Sequence, residues 1–241
     1  MVSDAPMPDA DSNPSAQESL DGGSGGSALD LGSKSFESLC GKLASGKPTP
    51  GAGSGAAAVA ALGASLVSMA FRCSSSEGSS VVPAYMGGRA DELNVLTHRL
   101  QQLIDQDAQA FEEFLKVRKS DVEGEAARAK WQAALKSAAC SVVEVPFAIL
   151  EVSLSALRLA AVGAPDQNPN LVCETETGAL ALWAAMEACE RIVRDNLPIA
   201  AAQHSDFAED HERVLPVLMK KGAELLAEVR AATALRQQDA M

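Results

Sequence analysis

Residues 47–72 form the stretch that most restricts how this chain can fold. The segment reads KPTPGAGSGAAAVAALGASLVSMAFR, a proline-glycine turn followed by a run of Ala, Gly and Ser that carries no charge before Arg72. Because Ser54 is a good N-cap and the residues after it are helix formers, we expect a helix from about Ser54 to Phe71. Its small side chains bury little apolar area, so this helix is predicted to be central, with neighbouring backbones close on several sides.

The turn before this helix is a candidate anion site. The backbone N–H groups of Gly51, Gly53, Ser54 and Gly55 lie at the positive end of the predicted helix dipole, where they could bind a carboxylate or a phosphate. A tight turn that only starts a packing helix explains the same residues without a ligand.

The uncharged run is also long enough to span a bilayer. Since Ala and Ser add little hydrophobicity and no second segment of this kind is evident, we expect no membrane span.

Composition favours one all-α body, a multi-helix bundle around this central helix, preceded by an acidic tail. The chain has 241 residues, 47% of them hydrophobic and 4% aromatic, and few β-branched runs. Residues 1–33 hold six acidic residues and no Lys or Arg, so we expect a disordered tail at 1–33 and a helical domain over 34–241. The formal net charge of −12 provides no general surface for nucleic acid.

The cysteine and histidine residues predict a cytoplasmic protein without a metal site. The five cysteines are odd in number and contain no CxxC pair, which is typical of a reduced protein rather than a disulfide framework or a zinc site. The tail lacks both the apolar run of a signal peptide and the arginines of a transit peptide. His204 and His211 flank Asp206 and Asp210, but solvated residues that cap a helix explain this cluster.

Hydrophobic periodicity predicts further helices along the chain. Their approximate ranges are 35–45, 89–119, 123–145, 146–162, 173–196 and 210–235. Pro146 is expected to end or kink the helix before it. Residues 73–88, CSSSEGSSVVPAYMGG, are expected to form a surface loop, either a lid over a site or a disordered segment.

Two acidic side chains are predicted to face inward. Asp107 lies on the apolar stripe of its helix, whereas Asp105 and Glu112 lie off the stripe and are expected to be solvated. A buried carboxylate needs a partner, so Asp107 either pairs with a neighbouring helix or serves a site. Glu174 continues a stripe of small residues on a later helix. It either faces inward or complements the helix dipole from the first turn.

Four motifs in a consistent order resemble the cyclodeaminase/cyclohydrolase family. They are PTPGAGS at 48–54, IDQDAQAF at 104–111, EVPF at 144–147 and NPN at 168–170. This family includes the C-terminal domain of formiminotransferase-cyclodeaminase and stand-alone methenyltetrahydrofolate cyclohydrolases. The resemblance implies an all-α homodimer that acts on a tetrahydrofolate derivative. The implied reactions are release of ammonia from the 5-formimino compound to close a 5,10-methenyl ring, and hydration of that ring to a formyl derivative.

The resemblance also implies which residues form the site. The implied substrate-binding residues are Thr49, Pro50, Gly51, Gly53, Ser54, Asn168 and Asn170. The implied catalytic residues are Asp107 and Glu174. Paired carboxylates suit either reaction, because ring closure needs an acid for the departing amine and a base for the attacking nitrogen, and ring opening needs a base for water.

Several residues depart from the family's motifs. Ala52 stands where the family has glycine, and Cys173 and Glu174 stand where it has Ser and Asp. Where the family tends to have N-V-x-I-N, this chain has IVRDN at 192–196, so that Ile192 replaces the first Asn. Ala52 restricts φ relative to glycine, and Glu174 extends its charge by one methylene. These departures leave open a catalytically degenerate member that binds folate or a protein partner.

Overall fold

The computed structural model describes residues 31–76 and 85–239. These residues form six α-helices and no β-strand, which confirms the all-α prediction. The helices are α1 (Phe36–Leu43), α2 (Ala52–Ser76), α3 (Tyr85–Arg118), α4 (Glu125–Gly163), α5 (Val172–Ala201) and α6 (Ser205–Asp239). Two short 3-10 turns, Ala164–Asp166 and Pro169–Leu171, join α4 to α5. The predicted tail lies outside the described residues except for 31–33, where the side chain of Leu31 is buried.

Helix α2 packs between α3 and α5, as its small side chains require. Its buried small residues include Ala56, Ala57, Ala60, Ala61, Ala64 and Ala70. Both neighbours run antiparallel to α2. On α3, Ser68 contacts Asn94 and Ser54 contacts Asp107. On α5, Gly63 lies against Leu182 and Val67 lies against Gly178. The predicted central position is therefore confirmed on two sides of α2. A third side is open to solvent.

The ends of α2 differ from the sequence-based expectation. The helix begins at Ala52, so Ser54 lies inside its first turn and is not the N-cap. At the other end the serine-rich segment continues the helix to Ser76, and α3 already begins at Tyr85. Burial of Ser74 and its hydroxyl bond to the carbonyl of Ala70 stabilise this last turn. Both ends of the predicted 73–88 loop are thus helical, while residues 77–84 lie outside the described part of the chain.

Pro146 lies inside the continuous helix α4, which corrects the prediction of two separate helices there. Proline has no N–H group, so the carbonyl of Val142 loses its usual helical partner. The side-chain amide of Asn196 on α5 donates to this carbonyl at 2.7 Å. A tertiary contact thus replaces the missing backbone bond, and the helix continues.

Among the described residues, two helices are long and apolar enough to cross a membrane. They are Ala52–Ser75 and Glu125–Asp166, and the second arises because α4 is continuous. The expectation that the chain has no second long apolar segment like that of α2 is therefore wrong. Core packing accounts for much of this apolar character, since 61% and 56% of the two apolar windows are buried inside the fold. Core helices of this kind are weak evidence for a membrane span.

Candidate active site

A pocket of about 250 Å³ opens at the N-terminal end of α2. The turn before α2, the middle of α3 and the last turns of α5 form its walls. Its lining includes Thr49, Gly51, Gly53, Asp107, Ile192 and Asp195. Because α3 and α5 run antiparallel to α2, these segments from distant parts of the sequence meet at one end of the bundle. The predicted turn and the predicted inward acid Asp107 therefore share one cavity.

The carboxylate of Asp107 occupies the N-terminal end of α2. Its Oδ2 accepts a hydrogen bond from the backbone N–H of Ser54 at 2.7 Å, and the Ser54 hydroxyl lies 3.0 Å away. The same hydroxyl lies 2.9 Å from the carbonyl oxygen of Ile104. The chain's own carboxylate thus fills part of the predicted anion site. Pro50 and Ser54 are buried behind the pocket, whereas Thr49, Gly51 and Gly53 line it.

The hydrogen bonds around Ser54 favour a protonated Asp107. A hydroxyl has one hydrogen to donate, so ionised Asp107 competes with the Ile104 carbonyl for it. When Asp107 is protonated, its own O–H can donate to Ser54 Oγ while Ser54 donates to Ile104. Burial raises the pKa of Asp107 above its usual value, because the loss of water outweighs the hydroxyl and backbone bonds from Ser54. Asp107 is therefore placed to carry a proton to higher pH than an ordinary aspartate.

Cys189 of α5 lies on the buried side of Asp107. Burial, and then the negative charge of Asp107, raises the pKa of the Cys189 thiol to about 12. The thiol therefore stays protonated and does not compete as a nucleophile near neutral pH. Of Asp107 and Cys189, only Asp107 is therefore available for proton transfer.

Gly53 permits the close approach of Asp107 to α2. A Cβ atom built on Gly53 would lie 2.0 Å from Oδ1 of Asp107. Ala52 has no such restriction, because it lies exposed in the first turn of α2 and no described residue other than glycine has a positive φ. The glycine that this site needs is therefore Gly53, and the alanine at 52 is compatible with the backbone.

The other acids that flank Asp107 on α3 bind the segments before α2. Asp105 accepts hydrogen bonds from the backbone N–H groups of Leu31 and Gly32, so it is not solvated as predicted. Its off-stripe position faces the chain segment that leads into α1. Glu112 is exposed as expected, and its carboxylate accepts a hydrogen bond from the Thr49 hydroxyl at 2.6 Å.

The remaining predicted site residues lie at the opposite end of the bundle. The backbone N–H of Asn168 donates to Ser74 Oγ near the C-terminal end of α2, and Asn168 Oδ1 accepts from the backbone N–H of Asn170. Glu174 precedes the pocket residue Ile192 by about 27 Å along α5. The sequence left the relative position of Asp107 and Glu174 open, and in the structure the two acids do not form a pair within one chain.

This far end contains buried polar atoms without a hydrogen-bond partner among the described residues. They are Oε2 of Glu174, Nε2 of Gln167 and Nε of Arg89. Buried polar atoms are normally paired, so each of these has the capacity to bind a further group. Gln167 itself is fully buried and already accepts a hydrogen bond from the Thr175 hydroxyl through Oε1.

Sequence reasoning missed several residues of the pocket. Phe111 and Val142 add apolar surface, and Asp195 and Asn196 add polar groups from α5. The spacing of Ile192, Asp195 and Asn196 places them on one face of a helix, a signal that gains meaning only once α5 is known to end beside α2. Within the described ranges, no group of three His, Cys, Asp or Glu side chains is arranged to hold a metal ion.

The fold and the pocket define a class of all-α proteins in which a buried carboxylate caps a central helix of small residues. Residues 35–214 match the family model described as formiminotransferase-cyclodeaminase, and the chain belongs to this family, as the motifs predicted.

The chain is similar to two known proteins. It is 29% identical to a methenyltetrahydrofolate cyclohydrolase of Methylorubrum extorquens over 201 residues, which cover 80% of this chain and 93% of the relative. The crystal structure of a formiminotetrahydrofolate cyclodeaminase from Thermotoga maritima matches with a TM-score of 0.75 at 21% identity, over 85% of this chain and 98% of that one. At this identity the second likeness shows the fold alone.

Proposed function

We propose that this protein is a folate one-carbon enzyme that acts on 5,10-methenyltetrahydrofolate or on the 5-formimino compound. The observation that carries this proposal is the position of Asp107, a buried carboxylate that faces a pocket lined by Thr49, Gly51 and Gly53. Membership of the family and the similarity to a cyclohydrolase over most of both chains support it. A catalytically degenerate protein is not favoured, because Ala52 fits the helical backbone without strain.

Asp107 acts as the proton donor in this proposal. Its raised pKa keeps a proton available where an ordinary aspartate has lost it. In ring opening, the carboxyl group protonates the ring nitrogen as its bond to the former methenyl carbon breaks. In ring closure, it protonates the amine that leaves as ammonia. Both reactions need this proton donor, so the site by itself is compatible with ring opening as well as with ring closure.

The size of the pocket indicates that it holds only the reacting part of the substrate. A site for a whole ligand of this size usually has a volume of roughly 300–1,000 Å³, whereas this pocket has about 250 Å³. Phe111, Val142 and Ile192 provide an apolar wall for a flat heterocycle. The rest of the folate must therefore bind outside this cavity.

We propose that a second copy of the chain completes the site. Helix α2 exposes an apolar stripe on its open side, formed by Val59, Leu62, Leu66 and Met69, which we call the α2 stripe. Leu62 is 53% exposed, and it also lines a groove with Phe36 of α1, whose side chain is 67% exposed. A continuous exposed apolar surface of this kind is typical of a subunit interface.

The position of the α2 stripe predicts how two copies pair. The stripe is centred near residue 64, which is also the midpoint of the 25-residue helix. A two-fold axis at this point would pack the two α2 helices antiparallel, so that the start of one lies beside the end of its partner. Asn168, Asn170 and Glu174, which lie near the end of α2, would then reach the pocket of the other subunit. The unpartnered Glu174 oxygen favours such a contact.

We further propose a cytoplasmic enzyme without nucleic-acid or membrane partners. All five cysteines are free, as expected for a reducing compartment. The net charge of −12 opposes binding to nucleic acid and to anionic membranes. The distribution of the protein between the soluble and membrane fractions of lysed cells tests this proposal.

The absorbance of 5,10-methenyltetrahydrofolate provides the test of the function. We expect the purified protein to accelerate its loss, and to form it from the 5-formimino compound if the protein is a cyclodeaminase. Asp107→Asn should abolish the rate, whereas Asp91→Asn, an exposed aspartate on the same helix, should not change it. Absence of turnover in both assays, with a correctly folded protein, would refute the proposed function.

A further inference from the structure

The α5 wall of the pocket carries one charged side chain, Asp195. Ile192 on this wall is apolar, and Asn196 is engaged by the carbonyl of Val142. Asp195 lies six residues beyond Cys189, the residue that faces Asp107, which corresponds to about 9 Å along the helix axis. Two carboxylates on the lining of one small cavity are an arrangement suited to paired proton transfer.

The surroundings of Asp195 differ from those of Asp107. Arg191, one turn earlier on α5, donates from Nε to Oδ2 of Asp195 at 3.1 Å. Both side chains are exposed to water, unlike that of Asp107. Among the described residues, no group donates a hydrogen bond to Oδ1 of Asp195. This oxygen is therefore available to accept a proton, whereas Asp107 is largely buried and its pKa is raised by that burial.

We propose that Asp195 is the catalytic base of this pocket, the carboxylate that takes the proton from the attacking nucleophile. The inference deepens the proposed function and rests on it. The negative charge of Asp195 also stabilises the cationic methenyl ring in the pocket. Asp195 lies about one helical turn after Ile192, so both side chains lie on the pocket face of α5.

The proton transfers balance in ring opening. The water oxygen bonds to the methenyl carbon while its proton passes to Asp195 and the π electrons of the C=N bond move to nitrogen. As the C–N bond breaks, Asp107 protonates the departing ring nitrogen and regains a proton from the hydroxyl that becomes the formyl oxygen. Asp195 releases its proton to solvent, to which it is exposed. One proton is released overall, as conversion of a cation and water into a neutral formyl product requires.

Steady-state kinetics and binding test this assignment. We expect Asp195→Asn to lower kcat by about 10²-fold, because general bases contribute roughly 10²–10⁴-fold, and to raise KM for the cationic substrate by a smaller factor. The control is Asp210→Asn on α6, an exposed aspartate that pairs with Arg213 in the same manner and should be silent. The double variant Ile192→Asn with Asp195→Ile, which restores the family's motif, should recover more activity than Asp195→Ile alone.

Binding gives a second readout that does not depend on turnover. In an Asp107→Asn background, which is expected not to turn the substrate over, titration calorimetry with the cationic 5,10-methenyl compound and with neutral-ring tetrahydrofolate should show that adding Asp195→Asn weakens binding of the first more than of the second. An unchanged kcat and unchanged discrimination in an active protein would overturn the role of Asp195 and leave the proposed function intact. A wild-type protein without turnover would refute the proposed function. An equal loss of affinity for both ligands in Asp195→Asn would show that this residue has only a structural role.

Discussion

Gly63 and Gly178 face each other where α2 crosses α5. A Cβ atom on Gly63 would lie 2.7 Å from the carbonyl oxygen of Gly178, and a Cβ atom on Gly178 would lie 2.6 Å from that of Gly63. The two backbones are therefore in direct contact at this crossing. This contact fixes the antiparallel register that brings Ile192 and Asp195 to the start of α2, where the pocket forms.

We predict that Gly178→Ala destabilises the protein by about 1–3 kcal/mol, because the added methyl group would also overlap Val67 in a packed core. The matched control is Gly55→Ala, also a helical glycine, where an added Cβ meets nothing within 4 Å. That change should stabilise the protein by about 0.4–1 kcal/mol through the unfolded state. Urea unfolding measures both values, and equal effects at the two positions would contradict the close crossing.

The raised pKa of Asp107 predicts a pH-dependent penalty on folding. Because the folded state binds this proton more tightly than the unfolded state, the favourable contribution of Asp107 is complete below its unfolded-state pKa. That contribution declines as pH rises through the folded-state pKa. Asp107→Asn has no ionised form, so its free energy of unfolding relative to the wild type should increase as the pH rises above about 4, the ordinary pKa of aspartate. A difference that does not change as the pH rises above about 4 would show that Asp107 titrates as it does in the unfolded chain.

Gly53→Ala should remove activity, because its methyl group would displace the carboxylate of Asp107 from the start of α2. A displacement of about 1 Å can lower a rate by about 10²-fold. Ala52→Gly, the neighbouring change that restores the family's motif, should leave kcat within about threefold and lower helix stability by about 0.5–1 kcal/mol. The absorbance assay with both variants checks this, and an active Gly53→Ala protein would argue against the observed position of Asp107.

The pairing of Asn196 with the carbonyl of Val142 predicts a dependence on Pro146. Asn196→Ala leaves that carbonyl without a partner and should destabilise the protein by about 1–3 kcal/mol. In a Pro146→Ala background the restored N–H group can bond to Val142, so the same Asn196→Ala change should have a smaller effect. A double-mutant cycle by thermal unfolding measures this coupling. Additive effects would show that Asn196 does not compensate for the proline.

The proposed dimer predicts that a charge on the α2 stripe separates the subunits. Leu62→Asp should reduce the mass in solution by half and remove activity, since the site would be incomplete. Val217→Asp, at a side chain on α6 that is 64% exposed, is the control and should change neither property. Light scattering after size-exclusion chromatography gives the mass, and a Leu62→Asp protein that stays dimeric would refute the α2 interface.

Subunit complementation tests whether the dimer combines residues from both chains. Mixtures of Asp107→Asn and Glu174→Gln subunits, refolded together, would contain hybrid dimers with one intact site. We therefore expect recovery of about a quarter of the wild-type activity if subunits pair at random. Recovery requires that Asp107 and Glu174 of one site come from different chains. An inactive mixture in which an affinity tag on one variant co-purifies the other variant would place the two acids in separate functions.

The sequence alone determined the helical class, the family and the importance of the first motif. The run of small residues in α2 is compatible only with a helix that has close neighbours, and the proline-glycine turn before it restricts where that helix can begin. It also identified Asp107 as an inward acid, because a carboxylate on an apolar stripe has a direction that helical periodicity defines. These properties are local, so they can be read from the order of residues.

The tertiary structure decided which of these residues meet. Local sequence rules predict that a helix ends at Pro146. In the structure the helix continues, because Asn196 of α5 supplies the hydrogen bond that the carbonyl of Val142 lacks. Asp105 lies off the stripe, yet it binds the backbone of Leu31 and Gly32, which no periodicity reveals. Above all, the antiparallel crossing of α2 and α5 separates Glu174 from Asp107 and places Asp195 in the pocket. Such pairings depend on contacts between distant segments, and these exist only after the helices have packed.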